Sequence, residues 1–267
     1  MDLHVLKQPL SICFLLLFLL LVIWDIMLQL SPLKTTTANY AYNLGYGVVF
    51  IFGSIIGIRG ALDLSLKSTI GKALFFLSLA LFLYAIGQGI WAYNNLSSNI
   101  AIPYPSLADL FFILFIPCMG MAVTYIARMF LTSITKKIFL QALFIPILPA
   151  IIIFAFLNTP DLSSHLSLLT KICNIAYPLG DVVLISLAIL LLRITGGKIY
   201  TGILFLIAGL LSQAGADLLF SYRTSSGTYW NGDISDVLFA LSSILLSLSI
   251  VALLSNVTPE RSPVQKT

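Results

Sequence analysis

Eight apolar runs, each near the roughly 20 residues a helix needs to cross a bilayer, restrict what this chain can fold into. They lie near residues 9–31, 40–59, 71–94, 106–131, 138–157, 168–192, 199–222 and 234–255. Charged residues make up 9% of the 267 and hydrophobic ones 59%, whereas about 25% of a soluble domain is charged. Backbone polar groups surrounded by lipid have to be satisfied within their own segment, so the expected fold is all-α and integral to the membrane. Residues 1–267 read as a single membrane domain, with 256–267 as a short cytoplasmic tail. The first run follows Lys7 like a secretory signal, but its apolar stretch is too long and no A-x-A site follows promptly. It is read as a retained anchor helix.

The basic residues orient these crossings. The N-terminus, the loops after runs two, four and six, and the tail carry Lys7, Arg59, Lys67, Lys72, Arg128, Lys136, Lys137, Arg193, Lys198, Arg261 and Lys266. The other side carries Lys34, Lys171 and Arg223. Eleven against three puts both termini in the cytoplasm of a multi-pass protein of the plasma or cell inner membrane. The lipid bilayer is its first partner. No basic cluster exceeds Lys136-Lys137, so the net charge of +4 supplies no nucleic-acid surface.

Two stretches repeat. Ala41-Tyr42-Asn43-Leu44-Gly45 returns as Ala176-Tyr177-Pro178-Leu179-Gly180, and Leu107-Ala108-Asp109-Leu110-Phe111-Phe112 returns loosely as Ile234-Ser235-Asp236-Val237-Leu238-Phe239. The pattern predicts two parallel four-helix halves, about 9–131 and 138–255. Five aspartates, Asp25, Asp109, Asp181, Asp217 and Asp236, fall inside apolar runs, while no Lys or Arg lies near the middle of one. A carboxylate at the bilayer centre costs about 2.5–3.5 kcal/mol, and less towards the interface. Four of these acids fall in the outer half of their helices and Asp181 lies nearer the midplane, so a shared polar cavity open to the outside is expected.

Each candidate residue has a plainer alternative. Pro105 suits the first position of a helix, and Asp109 then falls in the first turn, where the macrodipole favours an anion. That reading makes Trp91, Tyr93 and Tyr104 an aromatic belt at headgroup level. Asp217 lies about 8–9 Å below the end of its helix at 1.5 Å per residue, too deep for a cap, and near the position of Gln88 in the first half. It contacts a ligand or belongs to a structural network. Pro178 frees the carbonyl of Asn174, and with Tyr177 and Asp181 that group either forms a pocket or is satisfied by neighbouring helices. Gly53 and Gly57 fit small-xxx-small helix packing.

Several chemistries are excluded. His4 and His165 lie outside the runs, so a histidine zinc site or paired-histidine haem has no ligands. No P-loop, G-x-S-x-G or dinucleotide fingerprint occurs. Cys13, Cys118 and Cys173 are far apart within or beside apolar runs and read as inert packing. The identity of a metal or cofactor stays open at this point.

The order Trp91-x-Tyr93, Pro103-x-Pro105-Ser106-Leu107-Ala108-Asp109, Tyr177-Pro178-Leu179-x-Asp181, Gly215-Ala216-Asp217, Gly227-x-Tyr229 and Ser235-Asp236 resembles a bacterial membrane module. It is similar to the multi-helix sensory N-terminal region that precedes diguanylate cyclase (GGDEF), EAL phosphodiesterase or histidine-kinase domains, here without an output domain. The likeness spans about residues 80–255; Phe115-Ile116-Pro117-Cys118 stands where the family has a second Tyr-Pro pair. It implies sensing outside or within the membrane and output through a cytoplasmic or membrane signalling partner. The expectation is a non-enzymatic sensory or ligand-binding module whose site is built from Gln88, Trp91, Asp109, Tyr177, Asp181, Asp217 and Asp236. The alternatives are an accessory subunit of a membrane complex, a small transporter, or an intramembrane lipid hydrolase.

Overall fold

The computed structural model describes residues 3–98, 102–130, 135–144, 167–195 and 200–257, together with 147, 151 and 155. After a short 3₁₀ turn at Leu3–Lys7 come α1 (Pro9–Leu30), α2 (Thr37–Asp63), α3 (Thr69–Ser98), α4 (Leu107–Arg128), α5 (Lys136–Phe144), α6 (Leu168–Ile194), α7 (Tyr200–Ser225) and α8 (Ile234–Val257). No strand occurs among the described residues. Seven of these helices, all but α5, are long and apolar enough to cross a membrane. The architecture is therefore an all-α bundle of the multi-pass membrane type. Half of the expected span at 138–157 lies outside the described residues.

Local chemistry sets the helix starts. Pro9 opens α1, where its missing N–H costs nothing. Thr36 caps α2 in a reciprocal box with Asn39, and Ser106 does the same for α4 with Asp109. Ser167 caps α6 by accepting the N–H of Thr170. Pro105 thus stands one residue before the cap of α4 rather than at its first position, because the Ser106 side chain takes the capping role. Pro117 and Pro178 sit within α4 and α6, which continue through them.

Six helices pack in a closed ring in the order α2, α3, α4, α6, α7, α8 and back to α2. Helix α1 lies outside the ring against α8 and α2, and α5 packs on α6. Small residues let the backbones approach. A Cβ on Gly53 would strike Ser247 of α8 and Leu81 of α3; one on Gly57 would strike Ser78 and Ile250; one on Gly60 would strike Leu254. On the α7–α8 seam Gly202 and Gly209 admit Leu253 and Leu246 in the same way. The Gly53/Gly57 pair is therefore a packing surface, as small-xxx-small spacing predicts. Between the seams Leu74, Leu77, Leu81, Met119, Leu191 and Ile203 are fully buried. Leu16, Leu20 and Met27 of α1 are exposed, the inverse of a soluble helix and the arrangement expected of a lipid-facing one.

Direction alternates within α2–α3–α4 and within α6–α7–α8, while the neighbours α4/α6 and α8/α2 run parallel, so the starts of α2, α4, α6 and α8 share one end of the bundle with the finishes of α3 and α7. Arg59, Lys72, Arg128 and Arg193 mark the other end, by their places near the finishes of α2, α4 and α6 and the start of α3.

Candidate functional site

At the end of the bundle away from those basic residues, the ring encloses a cavity of about 30 Å³, measured as space for the centre of a water molecule. One water needs about 10–15 Å³ on that scale. Every ring helix contributes to the wall. Helix α2 supplies Asn43 and Tyr46; α3 supplies Tyr84, Gln88 and Trp91; α4 supplies Asp109 and Phe112. Tyr177 comes from α6, Asp217 and Phe220 from α7, Asp236 and Phe239 from α8, and Tyr229 from the connection between the last two. Three of these are carboxylates and eight are aromatic; none is Lys, Arg or His.

Each carboxylate is held differently. Asp236, in the first turn of α8, is the best satisfied. The Tyr46 hydroxyl donates to its Oδ1 at 3.1 Å, while the Tyr229 hydroxyl at 3.1 Å and the Gly232 N–H at 2.6 Å donate to Oδ2. Gly232 reaches that position with φ of +96°, a conformation that favours glycine. Asn43 Nδ2 donates to Asn231 Oδ1 at 2.8 Å; with the amide turned over it donates instead to Asp236 Oδ2 at 3.1 Å, and its oxygen accepts the Trp91 N–H at 3.1 Å. Asp109 plays two parts. Its Oδ2 accepts the Ser106 N–H at 2.6 Å and closes the capping box, and its Oδ1 accepts the Tyr177 hydroxyl at 2.7 Å. Asp217 has one donor among the described residues, Gln213 Nε2 at 3.2 Å, and that amide also donates to the Tyr84 hydroxyl at 3.1 Å.

The amides complete an acceptor-rich lining. Gln88 is 4% exposed, and its Oε1 has no hydrogen-bond partner. The neighbouring Gln213, 2% exposed, has an Oε1 in the same condition. Trp91 donates its indole N–H to Asn231 Oδ1 at 2.8 Å and packs edge-on to Phe220 and Tyr229. Glycines make room for these side chains: a Cβ on Gly87 would collide with the Phe112 ring, and one on Gly47 would come within 3.0 Å of Gln88 Cβ.

Outside the helices, the connection from α7 to α8 forms the rim. Arg223 lies 3.3 Å from Asp233 Oδ2, and Asp233 Oδ1 accepts both the N–H and the hydroxyl of Ser235. Burial raises the Asp233 carboxyl above the ordinary aspartate range, with Ser235 and Arg223 opposing it. Burial likewise pushes the phenols of Tyr104 and Tyr229 up, so both are neutral donors. Tyr104 gives its proton to Asn174 Oδ1 at 2.6 Å.

Six of the seven residues expected from sequence, Gln88, Trp91, Asp109, Tyr177, Asp217 and Asp236, line this one cavity. Asp181 does not. It lies one turn along α6 from Tyr177, about 6 Å away at 1.5 Å per residue, half-buried and near Asp217 but not part of the cavity lining. Asp25 is also elsewhere: it sits on α1, outside the ring, and accepts from Gln29, which in turn donates to the Gly232 carbonyl at 2.8 Å. The cavity therefore holds three of the five aspartates. Trp91 is no belt residue, being 4% exposed, whereas Tyr93 at 64% fits that description.

The residues missed from sequence obey a simple rule. Tyr46 lies three positions after Asn43, Tyr84 four before Gln88, Phe112 three after Asp109 and Phe239 three after Asp236. Those spacings place each on the same helix face as a residue already singled out. Tyr229 and Asn231 lie on a loop, where no periodicity points to them. No group of three or more His, Cys, Asp or Glu side chains able to hold a metal ion occurs among the described residues. The three cavity aspartates thus do not form a common metal ligand set. Compared with protein-family models, curated proteins and solved structures, the chain matches none of them.

Proposed function

We propose that the protein is a membrane-embedded sensory or ligand-binding module whose cavity opens to the outer side of the membrane. The observation that carries this reading is that all six ring helices contribute to one acid-lined cavity. A ligand there touches elements from both ends of the chain, so its binding energy biases how they pack against one another. Interiors as closely packed as this ring respond to such a bias by switching between discrete arrangements. The excess of Lys and Arg at the opposite end supports an outward-facing cavity and cytoplasmic termini.

Duplication of a four-helix unit is part of this reading, and side-chain pairing supports it. Asp109 near the start of α4 accepts from Tyr177 of α6, and Asp236 near the start of α8 accepts from Tyr46 of α2, one turn beyond Tyr42, the counterpart of Tyr177. Tyr84 meets Gln213, and Trp91 meets Phe220, in both cases residues 129 positions apart in the sequence. Matched positions facing each other are what a two-fold relation between the halves produces. Eight crossings are part of the same reading, which is supported by α4 finishing at the basic end and α6 starting at the cavity end. Such a module resembles the sensory regions of cyclase, phosphodiesterase and kinase proteins, and its output passes through a signalling partner.

The test is purification from native membranes in gentle detergent, followed by native mass spectrometry. A stoichiometric small molecule that is lost from an Asp217→Asn variant supports the reading. Recovery of the protein with neither a small molecule nor a signalling partner, alongside many tightly held membrane subunits, refutes it and makes the polar cluster a packing network.

A further inference from the structure

The cavity has more acceptors than donors, and the mismatch is concentrated on one side. Asp236 receives three protein donors and Asp109 two, but Asp217 receives one, at 3.2 Å. Gln88, whose buried Oε1 has no partner, lines the same space. A buried acceptor without a donor costs about 1–3 kcal/mol, and no basic side chain lines the wall to relieve it. A ligand that relieves it carries N–H or O–H donors, and three carboxylates favour one that is positively charged.

Aromatic rings narrow the class. Eight of the thirteen lining side chains are aromatic, and ring faces attract cations within about 6 Å of their centroids. Rings offer no lone pairs to a hard metal ion, and the carboxylates do not group for one. A quaternary ammonium satisfies the rings but leaves Gln88 Oε1 without a donor and adds none to the single one of Asp217. A primary ammonium satisfies all three. The space is also small, enough for about two waters, which admits an ammonium with a short stem and no bulkier head.

We infer that this cavity recognises a primary ammonium group on a short aliphatic stem, with Asp217 and Gln88 accepting its N–H bonds and the aromatic wall facing its charge. This rests on the ligand-binding reading above. The same chemistry arrives from two sources, a free amine such as ethanolamine in the external medium or the headgroup of an ethanolamine lipid from the outer leaflet.

The experiment uses the full chain in nanodiscs of phosphatidylcholine and phosphatidylglycerol, free of ethanolamine lipid. Thermal unfolding is followed with methylammonium, ethanolamine, tetramethylammonium, ethylene glycol and sodium chloride at equal concentration. The expected result is a rise in Tm with the two primary ammonium compounds that exceeds the rise with the other three. Apparent affinity should fall at least about tenfold in Asp217→Asn and in Gln88→Leu. Should either variant fail to fold, the comparison among probes on the unaltered chain still decides. A larger shift with sodium or tetramethylammonium than with ethanolamine overturns the ammonium class while keeping a binding site. No shift with any probe, together with no retained ethanolamine lipid by native mass spectrometry from ethanolamine-lipid nanodiscs, overturns both readings. Retained lipid with a weak response to free ethanolamine supports the inference and identifies the lipid as the source.

Discussion

Replacing Tyr177 by Phe removes one hydroxyl and leaves the shape of α6 and its seam with α4 unchanged. That hydroxyl donates to Asp109 Oδ1 at 2.7 Å, and both residues are buried. Asp109 Oδ2 already takes the Ser106 N–H, so the substitution deprives Oδ1 of its donor. Hydrogen bonds within membrane bundles average about 0.6 kcal/mol by double-mutant cycle, with a maximum near 1.7. Bonds to charged groups in proteins generally run at about 1.5–3 kcal/mol. The short distance and dry setting place this one near the top of the membrane range, at about 1.5 kcal/mol. The coupling is read from a cycle of Tyr177→Phe, Asp109→Asn and the double variant, unfolded in mixed micelles of dodecyl maltoside and increasing SDS. Asp109→Asn alone should cost more than Tyr177→Phe, because it also weakens the capping box of α4. A coupling below about 0.5 kcal/mol would falsify the claim that this bond joins α4 to α6.

Other expectations follow from single positions. Gly232→Ala forces a Cβ into a backbone with φ of +96° and against Leu28, so it should destabilise by about 2 kcal/mol and loosen Asp236, whose 2.6 Å backbone N–H donor is displaced. Unfolding midpoints unchanged in that variant refute the role of the loop. Gly57→Val pushes Cγ atoms into Ser78 and Ile250, so a loss of about 1–3 kcal/mol or a failure to accumulate in the membrane is expected. In a background where Cys13, Cys118 and Cys173 are replaced, Thr228→Cys should react with an impermeant maleimide added to intact cells. Lys67→Cys should react only after permeabilisation; the reverse result inverts the orientation. Asp233 supplies a pH test. Burial raises its folded pKa above the unfolded value, so the folded state takes up the proton first and the contribution of this group to stability grows as pH falls. The slope of Tm against pH between about 7 and about 4 should shrink in Asp233→Asn, and an identical slope in the variant contradicts the assignment.

The membrane-crossing helices were legible because the signal is coarse: about 20 apolar residues suffice, whatever their order. Their true lengths were not. Helix α2 runs Thr37–Asp63 and α3 runs Thr69–Ser98, past the apolar runs at both ends, because a capping box at Thr36 and backbone hydrogen bonding extend helices beyond the hydrocarbon region. The aspartates of the cavity were legible for the opposite reason, since a charge inside an apolar run demands a partner. Asp181 satisfies that criterion as fully as Asp217 does, yet only Asp217 lines the cavity. On α6 it is Tyr177, one turn before Asp181, that reaches the lining, and sequence position alone does not tell which of the two does. Tyr46, Tyr84, Phe112 and Phe239 were within reach, each three or four residues from a named position, had the helical face of each candidate been followed outward. The loop residues Tyr229, Asn231 and Gly232 were not, because their contacts with α2, α3 and α8 depend on closure of the ring.

Ring closure also explains why polar chemistry collects at one end. Towards the basic end, Gly53, Gly57 and Gly60 of α2 admit Ser247, Ile250 and Leu254 of α8, and Gly202 and Gly209 of α7 admit Leu253 and Leu246. Close backbone approach there leaves no room for a channel, and Leu248, Ile250, Ala252 and Leu253 are all buried. At the cavity end the same helices carry Tyr, Trp and Phe, whose bulk holds the backbones apart and whose hydroxyls bridge the gap to carboxylates. A tight apolar clasp below and an adjustable polar mouth above favour movement at the mouth, pivoting on the clasp. A transporter with this ring has to open the glycine-serine seam, whereas a sensor only has to tilt the helices above it. The proposed sensor role asks less of this packing than transport would, because releasing the seam forfeits the contacts that the glycines make possible.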